Sequence, residues 1–165
     1  MALNYTLTAA SQVLTLTGNL SNADTVTVGG KVYTLQATLT DSDGNVHVGA
    51  DAAGTISNLL AAINLSNAGE SAVGAGTDYA ASMTENAEVE ATASSATTLT
   101  VTAKTPGSVG NLIASTETSA TASWGAATLA SGAGHVQGWV DSMLSLNQIN
   151  SEVQYEMLRL TPTAD

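Results

Sequence analysis

The chain has 165 residues, with three basic side chains against fourteen acidic ones and a formal net charge of −11. Such a surface repels phosphate backbones and anionic lipid, which excludes nucleic acid and membrane surfaces as partners. There is no cysteine, so disulfides, thiolate metal sites and thiol catalysis are excluded.

Only 10% of residues are charged, well below the usual quarter or so, and Thr, Ser, Asn and Gly supply the polar remainder. The length fits one domain, or one domain with an appendage. Phe is absent and much of the apolar content is Ala. That composition predicts a thin sheet layer or a subunit interface rather than a deep core. The opening MALNYTLTAASQVLTLTG has no basic stretch and no sustained apolar run, unlike a secretory signal. No segment reaches the roughly 18 apolar residues of a membrane-spanning helix. The expectation is a soluble chain made in the cytoplasm.

In chain order, LNYTLT (3–8) and VLTLTG (13–18) alternate apolar with polar residues, the period of a half-buried strand. DTVTVGGKVYTLQATL (24–39) reads as a hairpin. Val26 and Val28 share a face, Gly29-Gly30 supply the positive φ angles of a two-residue turn, and Val32 to Leu35 return.

TDSDGNVHVGAD (40–51) follows. Asp41, Asp43 and Asn45 sit at positions 1, 3 and 5 of a calcium-loop beginning. An EF-hand also needs Gly at position 6 and Glu at 12, where this chain has Val46 and Ala52. The stretch reads first as the tip of a hairpin. A weak, open calcium site at Asp41, Asp43 and Asn45, with Asp51 swinging in, is the alternative, and millimolar affinity is expected of it.

Ile56, Leu59, Leu60 and Ile63 fall on one helical face and predict a helix over about 54–65, capped at its start by Asp51 or Thr55 and ended by Asn67 to Gly69. Residues 66–86 lack periodicity and read as a loop. AEVEATAS (87–94) and TTLTVTAK (97–104) are strands with a solvent face. Pro106-Gly107 marks a turn, and the Ser- and Gly-rich stretch to residue 134 reads as loop, apart from a short strand at NLIAS (111–115). Loops of this composition, 66–86 and 114–134, suit segments that order on docking.

Over 134–161 the texture changes. Trp139, Met143, Leu146, Ile149, Val153, Met157 and Leu160 are spaced by 4, 3, 3, 4, 4 and 3, a mean of 3.5. This predicts a long amphipathic helix with one apolar seam, either covered by its own domain or shared with copies of itself or a neighbour. The organisation is then a β-rich domain over 1–132 and an assembly helix over 134–161, an α+β, strand-dominated protein.

Motifs for chemistry are missing. His47 and His135 have no HxxxH spacing or carboxylate at a helical offset. GSVG (107–110) and AVGAG (72–76) lack the Lys of a phosphate loop, and no GxSxG elbow occurs. Glu88 and Glu90 fall on the solvent side of a strand, with Glu85 nearby and no aromatic platform for a sugar. The residues imply no catalytic site and no cofactor.

TVTVGGKVYTLQATLTDSDGNVHVGADAAGTISNLLAAIN, then GTDYA, VEATASSATTLTVTAKTPGSVGNLIASTET and SWGAATLASG, together resemble a small domain that recurs in structural proteins of tailed bacteriophages, particularly tail-associated ones. The resemblance covers about residues 25–132 and carries no catalytic motif. It implies a virion location and a structural role. Tail attachment is the first expectation, as a fibre or anchoring module that docks on other virion proteins, and the amphipathic C-terminal helix with the Thr-rich β domain suits a trimer. A capsid decoration protein is the alternative, and a carbohydrate- or calcium-binding adhesion module working through the 40–51 tip is a third. Within the pattern, Gly107 and Gly110 are expected to bend a loop closely over a neighbour, and Trp124 to plug an edge of the core.

Overall fold

The structure, a computed structural model, describes residues 7–65 and 74–134 together with Gln148, Asn150 and Val153. Thr and aliphatic residues alternate because a pleated strand turns them to opposite faces. In strand Thr98–Ala103 this is complete: Leu99, Val101 and Ala103 are buried and the three threonines that alternate with them are not. In chain order the strands are β1 (Ser11–Leu16), β2 (Thr25–Val28), β3 (Lys31–Gln36), β4 (Asn45–His47), β5 (Val89–Ser94), β6 (Thr98–Ala103), β7 (Ser115–Glu117) and β8 (Ala122–Trp124). A helix α1 (Ala52–Asn64) lies between β4 and β5, and a 3₁₀ turn spans Ser108–Leu112.

Two four-stranded sheets form, ordered β5-β6-β1-β8 and β4-β3-β2-β7. The first is antiparallel throughout. The inner faces of both sheets and α1 meet in a single core. Helix α1 packs on the edge strands β4 and β5, while the opposite edges β7 and β8 lie together. The helix therefore closes one flank of the sandwich and the paired short strands close the other. The architecture is α+β and strand-dominated, with one helix packed on it.

The hairpin at Gly29-Gly30 forms as its sequence dictates. Both glycines have positive φ, and β2 and β3 pair antiparallel from Val28–Lys31 to Thr25–Thr34. The helix begins two residues earlier than its apolar face predicts, because Asp51 is the N-cap and accepts the Gly54 N–H at 2.8 Å. It buries Ile56, Leu59 and Ile63.

Four expectations are corrected. The 40–51 stretch is not a hairpin tip, since β3 and β4 run parallel, Thr34 opposite Asn45 and Gln36 opposite His47. A parallel return ordinarily needs a dozen or more connecting residues. Here β4 has only three residues, so the chain need double back only about 10 Å at a strand's rise of roughly 3.3 Å per residue. The loop curls to do so. Gln36 Oε1 accepts the Thr40 N–H and hydroxyl, and Asn45 Nδ2 donates to Thr40 O and Oγ1.

Nor is 114–134 a loop awaiting a partner. It contributes β7 and β8, and Thr8 and Ser11 bridge to Ala133 and Ala130. The strand expected at NLIAS is displaced, its first residues closing the 3₁₀ turn and its last opening β7. Finally, the core is not a thin layer, because Tyr33 and Tyr79 are fully buried and provide the bulk that Phe would.

The helix expected over 134–161 lies outside the described residues except for Gly134, Gln148, Asn150 and Val153, as do residues 1–6, 66–73 and His135. Gln148, Asn150 and Val153 are helical.

Candidate functional site

The acidic loop between β3 and β4 is where ligand chemistry is expected, and its carboxylates are already engaged. Asp41 Oδ1 accepts the Ser82 N–H at 2.7 Å. Asp43 Oδ1 accepts the Thr84 N–H at 2.8 Å and the Lys31 ammonium at 2.7 Å, and its Oδ2 accepts the Thr84 hydroxyl at 2.7 Å. The Lys31 ammonium also donates to Thr84 Oγ1 at 2.7 Å and lies 5.9 Å from the centre of the Tyr33 ring. Asn45 is buried and spends its amide on Thr40. Asp51 caps α1 instead of turning toward the loop. The two loop carboxylates thus bind the loop to the 82–84 segment.

The electrostatics follow from those partners. Burial works to raise the Asp43 carboxyl, but the Lys31 ammonium and the Thr84 N–H and hydroxyl outweigh it and hold the group down at about 2. The Ser82 N–H lowers Asp41. Burial pushes Tyr33 up to about 12 against the opposing Asn86 hydrogen bond, with the Asp43 charge adding to the rise.

Asn86 is the next anchor along this segment. Its Nδ2 donates to Val28 O at 3.0 Å and Tyr33 OH at 3.2 Å, and its Oδ1 accepts the Glu88 and Val89 N–H groups. Beside it Lys104 donates to Asn86 O at 2.7 Å and pairs with Glu85, whose carboxyl it lowers. Both lysines of the chain therefore hold residues 84–86. Glu88 and Glu90 are exposed while Val89 and Ala91 are buried, as strand alternation requires. His47 lies in β4, where its backbone bonds to Asp78 and the Asn58 amide. Among the described residues, no group of three or more His, Asp or Glu side chains is placed to hold a metal ion.

The other feature is apolar. A groove of about 480 Å³ is lined by Ala87, Glu88, Thr105, Val109, Leu112 and Ile113. Val109 is 59% and Leu112 80% exposed, although the turn that carries them is firmly seated. Gly110 lies against Ala10 and Ala103, where an added Cβ would come within 2.8 and 2.9 Å. Asn111 clasps Gly132, Nδ2 donating to its O and Oδ1 accepting its N–H. The close approach expected of Gly110 is therefore made inside its own domain. Trp124 sits on edge strand β8, partly buried against the core, with Nε1 donating to Thr116 O at 3.1 Å.

Sequence patterns do not reveal the Lys31–Asp43–Thr84 latch, because its members lie up to 53 residues apart. The groove has a faint signal in Val109 and Leu112, two large aliphatics in a Gly-rich stretch with no period to bury them. No family model matches the chain, and no curated protein matches it.

Proposed function

We propose that this chain is a structural protein of a tailed-phage virion, a tail-associated fibre or anchoring module that works by self-assembly and by docking on other virion proteins. Catalysis has no part in this reading. The observation that carries it is the seam of the C-terminal segment, Trp139, Met143, Leu146, Ile149, Val153, Met157 and Leu160, at a mean spacing of 3.5. That spacing suits a long amphipathic helix over 134–161 whose stripe meets copies of itself, a trimer being the favoured number. Val153, a seam residue, is helical and 51% exposed in the single chain. A sandwich in which, among the described residues, every buried side-chain polar atom has a hydrogen-bond partner suits a load-bearing part. The residue pattern over 25–132 that resembles tail-associated phage domains points the same way.

The test is Ile149→Asp or Val153→Asp in the full chain. A charge in a shared seam is expected to give a monomer in sedimentation velocity and to block incorporation into particles. An unchanged sedimentation coefficient with normal incorporation overturns the reading. Capsid decoration is the second reading, favoured by the small size and the net charge of −11. Copy number per particle separates the two, high for decoration and low for the tail.

A further inference from the structure

We propose that the groove beside the 3₁₀ turn docks a segment of another protein, one that pairs an apolar anchor with an adjacent lysine or arginine. This gives the docking half of the proposed function its surface. It rests on that reading only for the partner's being a virion protein, since the chemistry of the groove stands on the fold alone.

The apolar half of the site is built into the turn. Gly110 already lies against Ala10 and Ala103, and Asn111 is bonded to Gly132 through both amide atoms, so the turn cannot sink into the core. Val109 and Leu112 therefore present apolar surface that their own core does not use, and Ile113 and Ala87 continue it along the groove. A volume of about 480 Å³ falls within the roughly 300–1,000 Å³ of sites that hold a small ligand.

The charged half is Glu88, an exposed residue and the one ionisable side chain in the lining. Its neighbouring cation is turned away from it. The Lys104 N–H donates to Glu88 O at 2.9 Å, yet the Lys104 ammonium goes to Glu85 and to Asn86 O. Lys31 is spent on Asp43 and Thr84. Among the described residues, no uncommitted lysine or arginine is left to meet Glu88, whether on this chain or on a second copy of it. A second copy also brings a net charge of −11, which opposes its approach. A foreign segment that couples apolar bulk to a positive charge complements the groove on both counts, and aromatic and arginine side chains are the commonest anchors of such contacts.

Phenethylammonium, 2-phenylethanol and 3-phenylpropionate share an aromatic tail and differ in charge, which makes them suitable probes. Each is titrated into the full chain and followed by the methyl resonances of Val109, Leu112 and Ile113, with exposed Val32 in β3 as the control. The ammonium is expected to bind about threefold tighter than the alcohol, the size of an exposed ion pair, and the carboxylate to bind weakest. Glu88→Gln should erase that order while the alcohol still binds, and Leu112→Ser, also at an exposed position, should weaken all three. No response at the groove methyls, one affinity regardless of charge, or an order that survives Glu88→Gln overturns the proposal. Groove methyls that shift on dilution of the protein alone assign the site to a second copy and overturn it too. Failure of the proposed function is separable: an Ile149→Asp chain that keeps its sedimentation coefficient and enters particles normally sinks the assembly reading without changing the order of the three probes.

Discussion

Asn86 Nδ2 donates to the Tyr33 hydroxyl at 3.2 Å and so joins the lead-in to β5, in one sheet, to β3 in the other. The same amide donates to Val28 O in β2 and accepts the N–H groups of Glu88 and Val89. All of this happens at a side chain with no solvent exposure. Asn86→Ala leaves several buried polar groups without partners, each costing on the order of 1–3 kcal/mol. Some relax toward water, so the expected loss is about 3 kcal/mol, read as a lower urea midpoint at unchanged slope. Asn86→Asp keeps the acceptor and the shape but introduces a buried charge, and should be at least as damaging at pH 7. Two variants as stable as wild type would show that the sheets do not depend on this bridge.

The acid limb of stability should carry the mark of Asp43. Its carboxyl is held at about 2 in the folded chain, below the unfolded value of roughly 3.9. A depressed folded pKa contributes stability that is fully present above the unfolded value and is lost as pH falls toward 2. The side chain is 48% exposed, so solvent screening reduces the contribution to about 1 kcal/mol. Asp41 and Glu85 are shifted in the same direction and add to the slope. Urea melts of wild type and Asp43→Asn between pH 5 and 2 should converge as pH drops. Parallel curves would mean that the latch at Lys31 and Thr84 gives no pH-dependent stability.

Gly110 and Gly30 should fail for different reasons. At Gly110 a methyl group would press on Ala10 and Ala103, an overpacking cost of about 2 kcal/mol for Gly110→Ala. Gly30 has open space around it but a φ of +69°, so Gly30→Ala meets only the left-handed penalty of about 1 kcal/mol. A second change distinguishes them. Gly30→Asn, which tolerates that φ, should recover most of the loss, whereas no larger residue rescues position 110. Equal losses for Gly110→Ala and Gly30→Ala, with no recovery by Gly30→Asn, would contradict this division.

How much of this was legible in the sequence follows from range. The Thr-aliphatic alternation of β6, the Gly29-Gly30 turn and the apolar face of α1 are local properties, and each forms where it is written. Asp41 to Asn45 spell a turn, but composition does not fix the direction in which the chain leaves it. That direction depends on Lys31, Ser82 and Thr84, remote residues that draw the loop's carboxylates sideways. Strands β7 and β8 have three residues each, too few for a period to show, and they exist because β2 and β1 offer them edges. The groove at Val109 and Leu112 leaves only a faint trace in the sequence for a similar reason, since exposure belongs to the folded surface.

Calcium is the remaining test of the 40–51 loop. A cation bound there would have to displace the Lys31 ammonium and the Thr84 N–H from Asp43 and the Ser82 N–H from Asp41, giving up three charge-assisted hydrogen bonds. Asp51 is equally committed to the helix start. A millimolar site at a hundredfold excess of calcium would stabilise the fold by about 2.7 kcal/mol, several degrees of melting temperature for a domain of this size. The expected result is no shift beyond that given by sodium chloride of equal ionic strength. Lys31→Met removes the competing cation, and that variant should be the more responsive of the two. A wild-type shift approaching the full value would show that the loop opens to ligate, and that the latch is the resting form of a binding site.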